Sequence, residues 1–439
     1  MSLRRFLERE PGLLRVGRPV SRHLEAAGLL KALDGEPVLL EQVEDSALPV
    51  AGNLYATKEA VARYLGVEPR EIIARMVAAI DRPTRPEVIE GPAPCQEVEL
   101  GGEEVDLGRL PLLFHCAGDG GPYISSGVVV SRSPVHGQNL DFHRMMQLDR
   151  RRLSVRVVAG RHFHRFLEEG RRIPVAVCVG NGASVMLAAA TSVALGQDEL
   201  EIANSLEPLR VTRARTFDAL IPADCEVVLE GTVDLEERAA EGPFVDLTGT
   251  YDTVRQEPVL TVERITHRAD AVWQALLPGG LEHKVMMGMP REPTIHREVT
   301  RAGLRCLDVS INPGGCSWLH AIVQIHKQRE GDGRRALEAA FAGHGSLKHA
   351  FVVDDDIDIY DPLDVEWAMA TRFQGDRDLL VLGRQSGSSL DPSGEPGTHL
   401  TCKVGFDLTR PLGEEGRGFE RAVFPSVDPH DYLPGRDRR

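Results

Sequence analysis

From about residue 105 to 290 the chain alternates short β-favouring segments with glycine turns, and this pattern limits the fold more than any other feature. Strands are expected at Ile124–Ser131, Asn139–Leu148, Leu153–Val158, Val175–Val179, Leu209–Arg213, Glu226–Val233 and Val259–Thr266, with helices at 162–169 and 183–192. Many strands of this length joined by hairpin-like turns predict a barrel or sandwich with inserted helices. The flanks read differently. Before residue 90, helical patterns at Leu3–Glu10, Arg22–Leu33 (capped by Ser21), Lys58–Leu65 and Arg70–Ile80 surround a short apolar strand at Pro37–Val43, predicting a small α/β unit. Residues 82–95 carry four prolines and read as a linker. After 290, strands at Ile322–Ile325 and Ala350–Val353 alternate with helices at 333–342 and 363–371, a second α/β unit. The last thirty residues are polar and arginine-rich, as in a surface tail or a subunit contact.

A chain of 439 residues has length for two or three domains with proper cores. Lys+Arg 51 against Asp+Glu 66 gives a formal charge of −15, which disfavours general nucleic-acid binding. The seven cysteines lie far apart with no Cys-x-x-Cys pair, so neither a zinc cluster nor a disulfide framework is expected, and a reducing cytoplasm is. No apolar run approaches ~20 residues, so no membrane span is expected, and the opening residues read as an amphipathic helix, not a signal peptide.

The candidate chemistry sits in four stretches. In Asn139–Arg144, strand alternation puts Asn139, Asp141 and His143 on one face and Leu140, Phe142 and Arg144 on the other. A guanidinium beside apolar neighbours is costly unless a carboxylate or anionic ligand meets it; the plain alternative is an edge strand with a solvated face. Glu241-Gly-Pro-Phe-Val-Asp246 holds two carboxylates five apart across a Gly-Pro turn. Near an arginine, one could stay ionised while the other keeps a proton to give; the alternative is a solvated turn. A carboxylate from Asp198-Glu-Leu-Glu, with His162 and Asn139, would make a hard N/O set suited to Mn2+ or Mg2+ and a phosphate; the alternative is an ordinary helix start. Lys348-His-Ala-Phe-Val-Val-Asp-Asp-Asp is a buried strand ending in an acidic loop, to which a structural role is assigned. No His-Glu-x-x-His or Gly-x-Ser-x-Gly occurs, and Gly118-Asp-Gly-Gly-Pro122 leads into a strand, so protease, hydrolase and phosphate-loop readings are disfavoured.

These stretches, in this order, resemble the UbiD family of decarboxylases that use prenylated flavin mononucleotide (FMN). Gly121-Pro-Tyr-Ile-Ser-Ser-Gly-Val-Val-Val130 is similar to the family's strand before the cofactor. Asn139 to Arg144 resembles Asn-x-Gly-Ile-Tyr-Arg, Arg161-His162 its following histidine, Asp198-Glu199-Leu-Glu-Ile-Ala-Asn its Glu-x-x-x-Ala-Gly, and Glu241–Asp246 its Glu-Gly-Pro-Phe-Gly-acid. The resemblance covers the first helix to about residue 410.

The resemblance implies three domains: an N-terminal α/β domain (1–104), a central split β-barrel holding prenylated FMN (105–295) and a C-terminal α/β dimerisation domain (296–439). Asn139, His162 and Glu199 would ligate Mn2+, with K+ as an optional companion, bridging to the cofactor phosphate. Asp141, Phe142, His143, Arg144, Arg161 and Lys348 would line the cofactor. Arg144, Glu241 and Asp246 would be the reacting acid–base network. The cofactor would form a covalent adduct with an α,β-unsaturated or aromatic carboxylic acid, release carbon dioxide and accept a proton from Asp246 or Glu241. A flavin prenyltransferase would supply the cofactor, and a homodimer or larger homo-oligomer is expected.

His143 stands where the family has tyrosine, Asp141 and Val245 where it has glycine, so a more polar pocket is expected near Arg144. The Arg161-His162 pair is closer to archaeal-type members that decarboxylate anhydromevalonate phosphate, and Arg161 and Arg165 would suit a second anionic group. A flavin-binding homologue without turnover is disfavoured by the intact Arg144, Glu241 and Asp246, and a cofactor-making enzyme by the chain's length.

Overall fold

The computed structural model describes residues 2–413, 418–419, 421–422, 424–428 and 432. The expected arginine-rich tail therefore lies largely outside the described residues.

The first unit packs helices Leu3–Arg9, Glu25–Ala32, Lys58–Leu65 and Ile72–Asp81 around a four-stranded sheet ordered Leu14–Val16, Val38–Leu40, Val50–Gly52, Trp273–Ala275. The Thr57 hydroxyl caps Lys58–Leu65 by accepting from the Ala60 amide at 3.1 Å. Ser21 does not cap the second helix, contrary to expectation. Residues Arg22 and Leu24 instead exchange backbone hydrogen bonds with Phe114, which pulls them out of the helix and delays its start to Glu25. Tertiary pairing there outweighs a local cap.

The proline-rich stretch is not a free linker. Glu87–Val88 pairs in parallel with Arg210–Val211, and Cys95 is buried with its amide on Ala223 O. Two segments also cross the expected boundaries: Trp273–Ala275 completes the first sheet, and Val98–Gly101 joins the central one.

The central unit is one nine-stranded antiparallel sheet. Its path runs Tyr123–Ile124, Met145–Gln147, Arg152–Val155, Arg255–His267, Val227–Glu241, Arg172–Val179, Val128–Ser133, Gly137–Phe142, with Val98–Gly101 branching from Arg255–His267. Among the described residues the two ends do not pair, so the sheet does not close on itself. Both faces are covered. Val128, Val130, Ala176 and Cys178 join one core with helix Ala183–Ala190, while Val129, Val175 and Val177 join the core on the other face. That explains the unbroken apolar runs in these strands.

The expected single strand Asn139–Leu148 is two. Gly137–Phe142 pairs with Val128–Ser133 at one end of the path, and Met145–Gln147 pairs with Tyr123–Ile124 and Arg152–Val155 near the other. His143 and Arg144 carry the chain across the split. A buried arginine that needs carboxylates on several sides is better served there than in a flat ladder.

The third unit is a five-stranded sheet ordered Cys306–Ser310, His320–Ile325, His349–Val353, Leu400–Asp407, Leu379–Ser386, packed by helices Glu292–Arg301, Asp332–Gly343 and Pro362–Arg372. Helical backbone from Leu281 through Arg301 connects it to the central unit.

Candidate active site

Arg144, held at the split, is met by three carboxylates. Its Nε and Nη2 donate to the two oxygens of Glu241 at 2.9 and 3.0 Å. Nη1 donates to Asp246 Oδ2 at 2.7 Å, and Nη2 also to Asp252 Oδ2 at 2.8 Å. These use four of the five N–H groups of a guanidinium, leaving one on Nη1. Burial works against the charged guanidinium, but Glu241, Asp246 and Asp252 outweigh it and hold its pKa above the ordinary arginine value. The guanidinium lies 5.2 Å from the centre of the Phe244 ring.

The Gly-Pro turn aims both acids of the 241–246 motif at this arginine. Gly242 has φ +94°, a left-handed conformation that favours glycine, and its carbonyl lies so close to Gly120 that a Cβ there would come within 2.2 Å of it. Glu241 is fully buried and also accepts from the Tyr123 hydroxyl at 3.1 Å, which in turn accepts from the Gly242 amide at 3.0 Å. Asp246 is looser. Its side chain is 19% exposed and its second oxygen accepts only the Leu247 amide, at 2.6 Å.

Asp252 was not among the sequence-derived candidates. Phe244–Val245 and Tyr251–Asp252 form a small hairpin that sets Asp252 opposite Phe244; reading Leu-Thr-Gly-Thr as its turn would have exposed this acid. Burial raises the pKa of Asp252, yet Arg255 and Arg144 together hold it below the ordinary carboxylate value. His283 was also missed. Its Nδ1 accepts from the Gly279 amide at 3.1 Å, and burial depresses its pKa against the opposing charge of Asp246, so the ring faces the acid pair as a neutral imidazole.

A second polar group lies on the Asn139 side of the split. Asn139 is buried, and its Oδ1 accepts from His162 Nδ1 at 3.1 Å. Its amide Nδ2 is buried with no hydrogen-bond partner among the described residues. His162 opens helix His162–Gly170, and Glu199 opens helix Glu199–Leu206. Asp198 provides the N-cap there, accepting from the Leu200 amide at 2.9 Å, which leaves Glu199 free to turn inward. The Glu199 carboxylate accepts from the Leu140 amide at 2.8 Å, one residue from Asn139. Burial raises its pKa well above the ordinary value against the Leu140 amide, and among the described residues no cation pairs with it.

Among the described residues no group of three His, Cys, Asp or Glu side chains converges as a metal site, so a cation here would draw on the Asn139 amide. An amide oxygen, an imidazole and a carboxylate left without a counter-charge fit a hard divalent ion such as Mn2+.

Between the two groups, His143 is buried with Nδ1 2.8 Å from Arg156 O and Nε2 2.9 Å from Asp141 Oδ1. Both neighbours are acceptors, so both ring nitrogens carry protons. Burial opposes that charge, but Asp141 prevails and the pKa is raised. Phe142 is half-buried against the core, and the Arg161 backbone caps the 162–170 helix. Lys348 is apart from this constellation. It pairs with Asp391 at 3.0 Å and donates to the Ser393 hydroxyl, within the C-terminal unit.

Comparison with known proteins agrees with this architecture. The family models for the UbiD N-terminal, Rift-related and C-terminal domains of 3-octaprenyl-4-hydroxybenzoate carboxy-lyase match residues 4–80, 87–281 and 284–408. The chain is 42% identical over 423 residues to the anhydromevalonate phosphate decarboxylase of Methanothermobacter thermautotrophicus, covering 93% of this chain and 97% of that protein. It is 42% identical over 434 residues to the enzyme of the same name from Methanosarcina mazei, covering 97% and 100%. Among solved structures, the UbiD-class enzyme HmfF from Pelotomaculum thermopropionicum in complex with FMN superposes with TM-score 0.94 at 34% identity, over 99% of this chain and 100% of that one. The chain belongs to the UbiD family of carboxy-lyases.

Proposed function

We propose that this protein removes carbon dioxide from an α,β-unsaturated carboxylic acid, with Arg144, Glu241 and Asp246 at the reacting end. The observation that carries the reading is the clamp on Arg144: a guanidinium fixed by three acids with one N–H unused. Prenylated FMN, when bound, supplies an electron sink for the carbanion left by decarboxylation. Asn139, His162 and Glu199 would hold Mn2+ against its phosphate. A flavin-bound neighbour in the prenylated form is the evolved dimeric HmfF.

The chain's own groups then divide the work. The free Nη1–H of Arg144 orients the substrate carboxylate, with the guanidinium already in place before charge develops. Glu241, buried and engaged through both oxygens, holds Arg144. Asp246, on the same Nη1 and more open, carries the proton to the carbon that lost carbon dioxide, and Arg144 stabilises the carboxylate that remains. Tyr123, Met146 and Phe244 form a small buried cluster that keeps water from this end.

The substrate reading follows the relatives. Five of them, 39–42% identical, are named anhydromevalonate phosphate decarboxylase, whereas a 3,4-dihydroxybenzoic acid decarboxylase of the same fold is 26% identical. An aliphatic unsaturated acid carrying a phosphate is therefore favoured over an aromatic acid. We further place the enzyme in the cytoplasm as a homodimer; no described helix is long and apolar enough to cross a membrane.

The test is made on protein co-expressed with a flavin prenyltransferase and supplied with Mn2+. Carbon dioxide release is followed with anhydromevalonate phosphate, 3,4-dihydroxybenzoic acid and vanillic acid, and cofactor mass is recorded. Release from the first acid with prenylated FMN bound is expected. Release only from the aromatic acids would overturn the substrate reading, and protein without flavin would overturn the cofactor reading.

A further inference from the structure

Most half-buried or buried arginines in this molecule face a carboxylate: Arg144 faces Glu241, Arg156 Glu257, and Arg372 Asp354 and Asp356. Arg291 does not. It lies eight residues beyond His283 along the helical connection that leaves the acid pair, about 12 Å at the α-helical rise. One Nη donates to Ala190 O at 3.1 Å, the other to the Ser192 hydroxyl, and the guanidinium sits 5.3 Å from the Trp318 ring centre. Its Nε is buried with no hydrogen-bond partner among the described residues.

Its charged neighbours make this worse. Arg161, from the start of the 162–170 helix, repels it, and Arg161 itself makes no ion pair among the described residues. Lys403 reaches in from the C-terminal sheet, donating to Gly345 O at 2.6 Å, again without a carboxylate. His344, between them, donates its Nε2–H to Trp318 O at 3.1 Å; burial and then Arg291 push its pKa down to about 3, so it stays neutral. The central unit, the helical connection and the C-terminal unit thus converge positive charge on one place, with no anion to meet it among the described residues. An unpaired buried cation is costly, and a chain keeps one where a ligand supplies the missing charge.

We infer that Arg291, with Arg161, receives a second anionic group of the substrate, a phosphate monoester, at the end of the pocket remote from the reacting carboxylate. This deepens the proposed function and rests on it. A guanidinium presents paired N–H donors that match phosphate oxygens, and the stacked Trp318 and the two anchors on residues 190 and 192 fix its plane. The phosphate of the cofactor has the same chemistry, so the experiment must separate the two sources.

Cofactor-loaded wild type, Arg291→Met, Arg291→Lys and Arg161→Gln are compared on the phosphorylated unsaturated acid and on its dephosphorylated counterpart. Flavin per chain and inhibition by inorganic phosphate are measured on the same samples. In Arg291→Met, preference for the phosphorylated acid, as a ratio of kcat/KM values, should fall at least about 30-fold. Flavin content should stay at the wild-type level and inhibition by phosphate should weaken. Arg291→Lys should restore part of the preference, since it returns charge without the fork. Unchanged preference beside an active wild type would overturn this inference alone. Loss of flavin in Arg291→Met would assign the arginine to the cofactor phosphate and also overturn it. A wild type that binds flavin but turns over no phosphorylated acid would sink the proposed substrate, and this inference with it.

Discussion

Two polar groups flank the same short segment, five residues apart, and they are in opposite electrostatic states. Around Arg144 every charge is met: one guanidinium, three acids, and Arg255 2.6 Å from Asp252. Around Asn139 the partners stop short: the Asn139 oxygen has His162 and Glu199 has the Leu140 amide, but among the described residues the Asn139 Nδ2 lacks an acceptor and the buried Glu199 side chain lacks a cation. The first group is complete in the protein alone, as preorganisation of a reacting centre requires. The second is complete only with groups from outside the chain, a positive charge for Glu199 and an acceptor for the Asn139 amide. A site for chemistry and a site for an exogenous ion can thus be told apart by which partners the chain already provides.

The largest expected effect breaks the complete group. Glu241→Gln removes the anion that fixes Arg144 through two hydrogen bonds, and carbon dioxide release should fall on the order of 10³-fold while flavin and metal stay bound. Next comes the incomplete group. Mn2+ at a hundred times its dissociation constant should stabilise the wild type by about 2.7 kcal/mol, seen as a higher Tm, and this gain should vanish in Glu199→Gln. Asp252→Ala removes one of two acceptors on Nη2 of Arg144. The cost should be about tenfold in kcat, the rate equivalent of a single hydrogen bond of about 1.4 kcal/mol.

The smallest effect concerns a buried acid outside both groups. Glu282 accepts from the Tyr55 amide at 3.3 Å, has one oxygen without a partner among the described residues, and is pushed up to about 7 by burial. Its folded pKa lies above the value of about 4.3 expected in the unfolded chain, so the folded state binds the extra proton between them. Stability should therefore be fully present below that unfolded value and decline as pH rises toward 7. In Glu282→Gln, urea melts across this range should show a flatter decline, and Mn2+ should not alter the difference.

Much of this was legible in the sequence because it rests on local pattern. Alternation and glycine turns located most central strands, and ordered motifs brought Asn139, His162 and Glu199 together, as well as Arg144, Glu241 and Asp246. What was not legible depends on long-range pairing. The break at His143 exists because the two halves of one apparent strand pair at opposite ends of the sheet. The delayed helix after Ser21 reflects pairing with Phe114, and the order in residues 82–95 reflects pairing with Arg210–Val211. Asp252 was hidden by its neighbours, since an acid after a threonine-rich turn looks solvated until the hairpin folds it onto Arg144. Lys348, grouped with the cofactor residues on resemblance, pairs with Asp391, 43 residues further along the chain, a contact that no local pattern shows.

The most direct test of the contrast is metal and flavin content per chain, measured together on wild type, Glu241→Gln and Glu199→Gln purified after co-expression with a flavin prenyltransferase and Mn2+. One Mn2+ and one flavin are expected in the wild type and in Glu241→Gln, and a deficit of both in Glu199→Gln. Full occupancy in Glu199→Gln, or empty Glu241→Gln of native fold, would contradict it.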